Sequence, residues 1–217
     1  MTFEQLKRLV QQGEGQHLEF KRKANHPDKI AREIIAFANS TGGTLLIGIM
    51  DNLDIIGCKN PDEEAFAVES YLQAHVYPEI PFSVERIDAP YHRQVLKYYI
   101  PESAARPHFL RESPESVKKS FVRVEDMSIR ASREMVQLLK FHASKPDTIL
   151  SIGPHEQAIL AYLETNPQLT IEHAQALVKL RKRIVSGILV KLVRFGLLEI
   201  YPSIKGDYFK LRESAFK

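Results

Sequence analysis

Three carboxylates near the start of the chain have the spacing of a candidate metal site. Glu14 and Glu19 are five residues apart, and Glu19 falls in an alternating stretch that predicts a strand over 17–23. Asp51 follows an apolar run, 44–50, that predicts a second strand buried on both faces. If the two strands are neighbours, the three carboxylates could face a common point. Hard cations such as Mg²⁺ and Mn²⁺ prefer oxygen ligands, and such a metal can activate water at a phosphate.

The same carboxylates have a simpler interpretation, as surface groups that pair with nearby bases. Lys21 and Arg22 follow Glu19 closely along the chain. Lys21 itself has two roles open to it. It either contacts a phosphate and stabilises charge in a transition state, or it is the salt-bridge partner of Glu19. Spacing alone leaves both alternatives open.

Helix caps and hydrophobic periodicity predict the elements that must position these residues. Thr2 and Gln5 form a capping box, and Pro27 opens a helix that ends at the glycines of 41–43. A further helix is predicted after Asn60. The residues expected on the inner face of that helix are Phe66, Ala67, Ser70, Tyr71 and Ala74. Later segments predict strands over 82–87, 94–100 and 121–124, and then a helix that buries Met135, Leu138 and Leu139.

The last third of the chain has a different pattern, three helices followed by two short strands. The helices are predicted over 154–165, 170–178 and 181–195, and the strands over 197–201 and 207–211. This order is typical of a winged helix-turn-helix. The segment is also basic, since residues 150–217 hold 10 Lys and Arg against 6 Asp and Glu. Such an excess is compatible with nucleic-acid binding, although it is often only a solvated face.

Within this segment the third helix is the predicted recognition helix. Its first residues place four candidate contacts against bases and phosphates, and the loop between the two strands places one more. These candidates are Arg181, Lys182, Arg183, Ser186 and, at the tip of the wing, Lys205. The alternative is a winged helix used for dimerisation or for contact with another protein.

The motifs in the first two thirds of the chain resemble the Schlafen AlbA-type domain. They are E-x-x-x-x-E-F-K at 14–21, A-F-A-N-S-T-G-G at 36–43 and L-L-I-G-I-M-D at 45–51, with F-V-R-V…I-R-A-S-R-E at 121–134. The resemblance implies a mixed α/β fold. The expected fold class is therefore α/β (α+β) with a mixed sheet, followed by an all-α winged-helix domain with a β-wing. We expect the first domain over 1–145, a linker over 146–153 and the winged helix over 154–217.

The resemblance implies two functions of different classes. Bacterial members are commonly described as nucleic-acid-binding proteins or transcriptional regulators, so the leading expectation is a DNA-binding regulator. Some animal relatives are metal-dependent endoribonucleases, and their catalytic carboxylates match Glu14, Glu19 and Asp51 here. The alternative is therefore a nuclease that uses these residues with Lys21 and Mg²⁺ or Mn²⁺ on RNA or single-stranded DNA. The animal enzymes use two facing lobes, which here would require a homodimer.

A protein-interaction module is a third, non-catalytic alternative. No ATP site is expected, because the chain has no G-x-x-x-x-G-K-[ST] motif and 41–44 is too short to cradle phosphates.

Composition sets broad limits on these alternatives. Hydrophobic residues make up 44% of the chain and charged residues 26%, which is ordinary for a globular protein. No apolar run approaches the roughly 18 residues that a membrane helix needs, and the N-terminus has no signal-peptide pattern. The single cysteine, Cys58, excludes an internal disulfide and a cysteine zinc site. The expected compartment is the cytoplasm.

Overall fold

The computed structural model describes residues 1–141 and 151–213, and the chain divides into two compact units, Met1–Arg130 and Ala131–Lys217. Residues 146–150 of the predicted linker lie outside the described residues. Within the described ranges, no helix combines the length and the apolar character needed to cross a membrane.

The first unit is built around a four-stranded mixed sheet. Its helices are α1 (Phe3–Val10), α2 (Pro27–Asn39) and α3 (Pro61–His75). Its strands are β1 (Leu18–Lys21), β2 (Gly43–Ile47), β3 (Val76–Tyr77), β4 (Ser83–Ala89), β5 (Arg93–Ile100), β6 (Phe109–Leu110), β7 (Phe121–Val124) and β8 (Met127–Arg130). The sheet order is β1-β2-β5-β4, with β1 parallel to β2 and the other pairs antiparallel. The predicted mixed α/β architecture is confirmed for this unit.

The sheet is covered on both faces, as the apolar run of β2 predicted. On one face α2 and α3 pack over Leu45 and Tyr98, and on the other α1 packs over Phe20 and Leu46. The alternation of β1 therefore places Phe20 on the α1 side and Glu19 on the α2 side. The helix α2 therefore packs on the same face of the sheet as the side chain of Glu19.

Two glycines allow α2 to turn directly into β2. Gly42 has a φ of +76°, and a Cβ there would lie 2.8 Å from the carbonyl oxygen of Ile100. A Cβ on Gly43 would lie 2.3 Å from the ring of Phe37. Larger residues at 42 and 43 would therefore separate the helix from the sheet.

The buried face of α3 matches the predicted one only in part, because Tyr71 packs against the core as expected but Phe66 does not. Ala65, Val68 and Leu72 are buried, whereas Phe66 is 73% exposed. The helix carries two apolar stripes at helical spacing, and packing on the sheet selects the one with smaller side chains. Periodicity alone does not distinguish the two.

The second unit holds the remaining elements. Its helices are α4 (Arg133–Lys140), α5 (Pro154–Thr165), α6 (Ile171–Val178) and α7 (Lys182–Arg194), and its strands are β9 (Leu169–Thr170), β10 (Leu198–Tyr201) and β11 (Tyr208–Leu211). The strands form a sheet of order β10-β11-β9. The three predicted helices and the hairpin are present. The two-residue strand β9, which pairs with β11, was not predicted because it is too short to show a period.

The boundary between the two units does not coincide with the predicted domain limit. We expected 131–145 to complete the first domain, but α4 belongs to the second unit and packs against α7. The guanidinium of Arg194 lies 3.8 Å from the ring centroid of Phe141, just after α4. Ser132, the N-cap of α4, donates to Asp207 in the loop before β11. These contacts join α4 to the second unit.

Candidate functional site

A buried arginine, Arg123 on β7, organises the charged residues of the first unit. Its side chain has no exposed surface, and its guanidinium donates to Glu19 Oε2 and to Glu33 Oε2, each at 2.8 Å. It also donates to the carbonyl oxygens of Gly15 at 2.8 Å and Leu18 at 3.3 Å. A desolvated charge is tolerated only when it is paired and hydrogen-bonded. Arg123 therefore ties β7 to β1 and to α2.

Glu19 is held by cations from two sides. Its side chain is almost fully buried, its Oε1 accepts from Lys21 Nζ, and its Oε2 accepts from Arg123. Of the two roles left open for Lys21, the structure shows the salt bridge with Glu19. The side chain of Lys21 keeps 28% of its surface exposed, so it closes the cluster on the solvent side.

Two further carboxyls of this cluster have raised pKa values. Burial raises the pKa of Glu33, and the nearby charge of Glu19 raises it further. Burial also raises the pKa of Glu14, although a hydrogen bond from the Phe20 backbone N–H, 2.8 Å from Glu14 Oε1, acts in the opposite direction. The charged forms of both acids are thus disfavoured where they lie.

The geometry does not fit a divalent cation held by Glu14, Glu19 and Asp51. Both oxygens of Glu19 accept from cationic side chains, and one oxygen of Glu14 accepts from a backbone N–H. Asp51 is exposed in the turn after β2. Across 1–141 and 151–213, no group of three or more His, Cys, Asp or Glu side chains is arranged to hold a metal ion. Glu14 and Glu19 interact with each other, but the structure does not bring Asp51 to them.

Reasoning from the sequence missed both Arg123 and Glu33. The available signal was a single cation within the apolar strand Phe121–Val124, because a charge in such a strand needs a buried partner. The sequence does not identify that partner, since Glu19 is 104 residues away. The predicted partners were Lys21, which is correct, and Arg22, which is exposed and, within the described ranges, has no ion pair.

A second group of charges, in the other unit, lies at the start of α7. Arg181 occupies the N-cap and Arg183 the first turn, and both are exposed. Neither has an ion pair with any residue that the structure describes, whereas Lys182 pairs with Glu172 at 3.0 Å. The first turn holds no acidic residue, and Arg181 makes no side-chain cap. The positive end of the helix dipole and these cations therefore add to one another.

Ser186 does not belong to this surface, which corrects the prediction. It is 2% exposed, and its Oγ has no hydrogen-bond partner among residues 1–141 and 151–213. It lies on the helix between Val185 and Leu189, which are fully buried, so the helical period turns it toward the core. The exposed residues beside it are Ile184 and Gly187.

The hairpin of the second unit presents another cation. Lys205 lies exposed in the loop between β10 and β11, next to Ile204, which is 75% exposed. The rings of Tyr201 and Tyr208 stack at the base of this loop, with centroids 5.2 Å apart and planes 3° from parallel. Exposed cations on a helix start and on a hairpin can attract a polyanion.

Comparison with known proteins places the first unit in a family. A family model described as Schlafen, AlbA_2 matches residues 14–132, more than half of the chain. The matched residues include the whole buried cluster around Arg123. No curated protein matches the chain.

Two solved structures are similar at low identity. The N-terminal domain of a RecG-related protein from Nitrosomonas europaea is 19% identical with a TM-score of 0.43, over 70% of this chain and 95% of that domain. The DIP2311 protein from Corynebacterium diphtheriae is 20% identical with a TM-score of 0.44, over 91% of this chain and 34% of that protein. The chain thus spans about a third of the second protein. Structural similarity at this identity and TM-score supports no inference about function.

Proposed function

This chain belongs to the Schlafen AlbA_2 family, and from that premise we propose that it is a DNA-binding regulator. In this proposal the second unit is a winged helix-turn-helix that binds duplex DNA, with α7 as its recognition helix and the β10–β11 loop as its wing. The observation that carries the proposal is that Arg181 and Arg183, at the start of α7, are exposed and have no ion pair with any described residue.

The connection between α6 and α7 supports a helix-turn-helix. Three residues, 179–181, join the two helices, and Lys179 takes the left-handed conformation with a φ of 52°. A turn of three or four residues is typical of this motif. The two helices also share a core that includes Ala174, Val185 and Leu189. The turn therefore holds α7 in a fixed orientation on α6.

The start of α7 has the chemistry that DNA recognition requires. In helix-turn-helix proteins the first residues of the second helix reach base edges and phosphates in the major groove. Arginine donates two parallel hydrogen bonds to guanine or to a phosphate. Arg181 and Arg183 have no competing carboxylate within the described ranges, so they are free to bind an external acceptor. Gly187, exposed one turn later, leaves room for the DNA backbone to approach.

Charge reversal tests the proposal directly. In the double variant Arg181→Glu/Arg183→Glu, we expect affinity for a labelled random duplex at ~100 mM salt to fall at least ~100-fold, because two phosphate contacts become repulsive. Both side chains are exposed, so the thermal stability of the full chain should change little. Fluorescence anisotropy measures the binding.

A matched control separates a specific surface from overall charge. The variant Arg133→Glu/Lys140→Glu makes the same net charge change on exposed residues of α4, and it should bind duplex nearly as the wild type does. Equal losses in the two double variants, or unchanged binding in the first, would reject the proposal.

The nuclease alternative is tested on its own expected substrates, labelled RNA and single-stranded DNA. We expect the nucleic acid to be recovered intact after incubation with Mn²⁺. Cleavage that disappears in Asp51→Asn, an exposed and structurally mild change, would replace regulation by catalysis.

A further inference from the structure

A small cleft on the first unit lies between the last two turns of α3 and the segment that leads into β4. Its volume is about 280 Å³, which suits a small molecule, since drug-sized ligands occupy roughly 300–1,000 Å³. The side chains at its base are apolar, and three of them are buried with at most 8% of their surface exposed. These four residues are Leu72, Val76, Ile80 and the half-buried Phe82. The cleft therefore offers an apolar surface to the hydrocarbon part of a ligand.

Two carboxylates at this cleft have no partner within the described residues. Glu69 lies on α3 and Glu79 on the opposite segment, and both are exposed. Neither forms an ion pair or a side-chain hydrogen bond with any residue in 1–141 or 151–213. The other acids of α3 are engaged, Asp62 with Arg86, Glu63 with Asn60 and Glu64 with the backbone N–H of Ala24. None of the described residues that line the cleft is basic, so its charge is available to an external cation.

The spacing of residues along the chain and one buried histidine shape this cleft. Glu69, Leu72 and Val76 are three and four residues apart, so they lie on one side of α3 and just beyond its end. The opposite segment begins at Pro78, whose carbonyl oxygen accepts from Nδ1 of His108 at 2.8 Å. His108 is fully buried. This hydrogen bond therefore ties the segment to the core and holds the cleft in shape before a ligand binds.

A buried hydroxyl behind the cleft lacks a hydrogen-bond partner. Tyr98, on β5, has no exposed surface, and its hydroxyl oxygen has no partner in the part of the chain that the structure describes. Its ring packs against the ring of Phe82, with centroids 5.8 Å apart. Burial raises the pKa of this hydroxyl, and among the charged residues Glu69 raises it most. Because buried polar atoms are nearly always paired, this oxygen is a candidate acceptor for a donor bound beside Glu69.

An apolar base with a carboxylate on each of its two sides fits an aliphatic chain that carries two ammonium groups. Ammonium groups donate charge-assisted hydrogen bonds to carboxylates, and the methylene groups between them gain by covering apolar side chains. We propose that this cleft binds a small aliphatic diamine, with one ammonium at Glu69 and the other at Glu79. The ligand is a cation, so this site is independent of the duplex-binding role proposed for the second unit.

The carboxylate arm of the test uses the full chain, 1,4-diaminobutane and isothermal titration calorimetry at low salt. In Glu69→Gln and in Glu79→Gln we expect roughly tenfold weaker binding or more, because each change removes the charge that one ammonium contacts. Both side chains are exposed, so the fold should be retained. Glu125→Gln is the matched control, since Glu125 is also exposed and has no ion pair within the described ranges. Unchanged binding in either cleft variant, or an equal loss in Glu125→Gln, would overturn the proposal.

The ligand arm separates the two charges from the chain that joins them. Butylamine keeps the chain but has a single ammonium, so it should bind roughly tenfold more weakly than the diamine. Ammonium chloride lacks the chain and should compete at least ~30-fold more weakly, because each buried methylene contributes roughly fourfold in affinity. Equal binding of butylamine would overturn the assignment of a second ammonium site. Competition by ammonium or Mg²⁺ at the affinity of the diamine would reduce the cleft to a non-specific acidic patch and overturn the proposal.

Two further samples separate this proposal from its alternatives. A lysine side chain of another protein carries the same aliphatic ammonium, and Nα-acetyl-lysine amide represents it. This probe should bind no better than butylamine, and binding tighter than that of the diamine would make the cleft a protein-docking site and overturn the proposal. Arg181→Glu/Arg183→Glu should bind the diamine as the wild type does even though it loses duplex binding, so this proposal and the proposed function can fail separately.

Discussion

The two units use arginine in opposite ways. In the first unit Arg123 has no exposed surface and is paired with Glu19 and Glu33. In the second unit Arg181 and Arg183 are exposed, and none of the described residues pairs with them. A guanidinium that is fully satisfied inside the protein has no donor left for a ligand, whereas an exposed one gains partners only by binding. Burial and pairing, more than residue type, therefore separate a structural charge from one that is available to a ligand.

The substitution with the largest expected effect on stability is the one that removes Arg123. Arg123→Met leaves Glu19 and Glu33 buried without their main cation, and we expect the free energy of unfolding of the first unit to fall by about 3–5 kcal/mol. Denaturant unfolding measures the change. The control Arg8→Met, on an exposed arginine, should change it by less than about 0.5 kcal/mol. A loss below 1 kcal/mol in Arg123→Met would contradict the structural role.

A smaller effect is expected at Ser186. Its buried hydroxyl lacks a partner within the described ranges, so Ser186→Ala removes an unsatisfied polar group and should stabilise the second unit by about 1 kcal/mol. Duplex affinity should not change, because the side chain does not reach the surface. Weaker duplex binding in a stably folded Ser186→Ala variant would restore the original prediction that this residue contacts DNA.

The raised pKa of Glu33 predicts a pH dependence. A group with a raised folded-state pKa contributes stability that is fully present below its ordinary value of 4.5 and is lost as the pH rises through the raised pKa. Wild type should therefore lose stability relative to Glu33→Gln as the pH increases above 4.5. Unfolding measured at several pH values tests this, and a constant or growing advantage of the wild type would contradict it.

The smallest effects concern the exposed pair of Glu172 and Lys182. Because both side chains are exposed, at 65% and 61%, Glu172→Gln should change stability by no more than about 0.5 kcal/mol. Freed from this partner, Lys182 should strengthen duplex binding a few-fold. Glu164→Gln makes the same charge change elsewhere on the unit and is the control. An equal gain in both variants would show that only net charge matters.

Local sequence signals predicted the elements well. The capping box of Thr2 and Gln5 is present as predicted, and Pro154–Thr165 begins and ends where its proline and its Asn-Pro predicted. Such signals are read from neighbouring residues, so no tertiary information is needed.

The candidate sites could be predicted only in part, because they depend on tertiary contacts that the sequence alone does not reveal. The partner of Glu19 lies on a strand 104 residues away, and Ser186 turned inward because packing selected one of the faces of α7. The assignment of α4 to the second unit likewise depends on α7, far along the chain. Residue types indicated where charge lies, but only the fold shows which charges are neutralised.

The salt dependence of duplex binding tests the central claim most directly. If Arg181 and Arg183 contact phosphates, the slope of log affinity against log salt concentration should be less steep by ~0.9 in Arg181→Ala and again in Arg183→Ala. The slope for Arg133→Ala should equal that of the wild type. Identical slopes for wild type and the two α7 variants would contradict the account, because the exposed arginines of α7 would then make no contact with DNA.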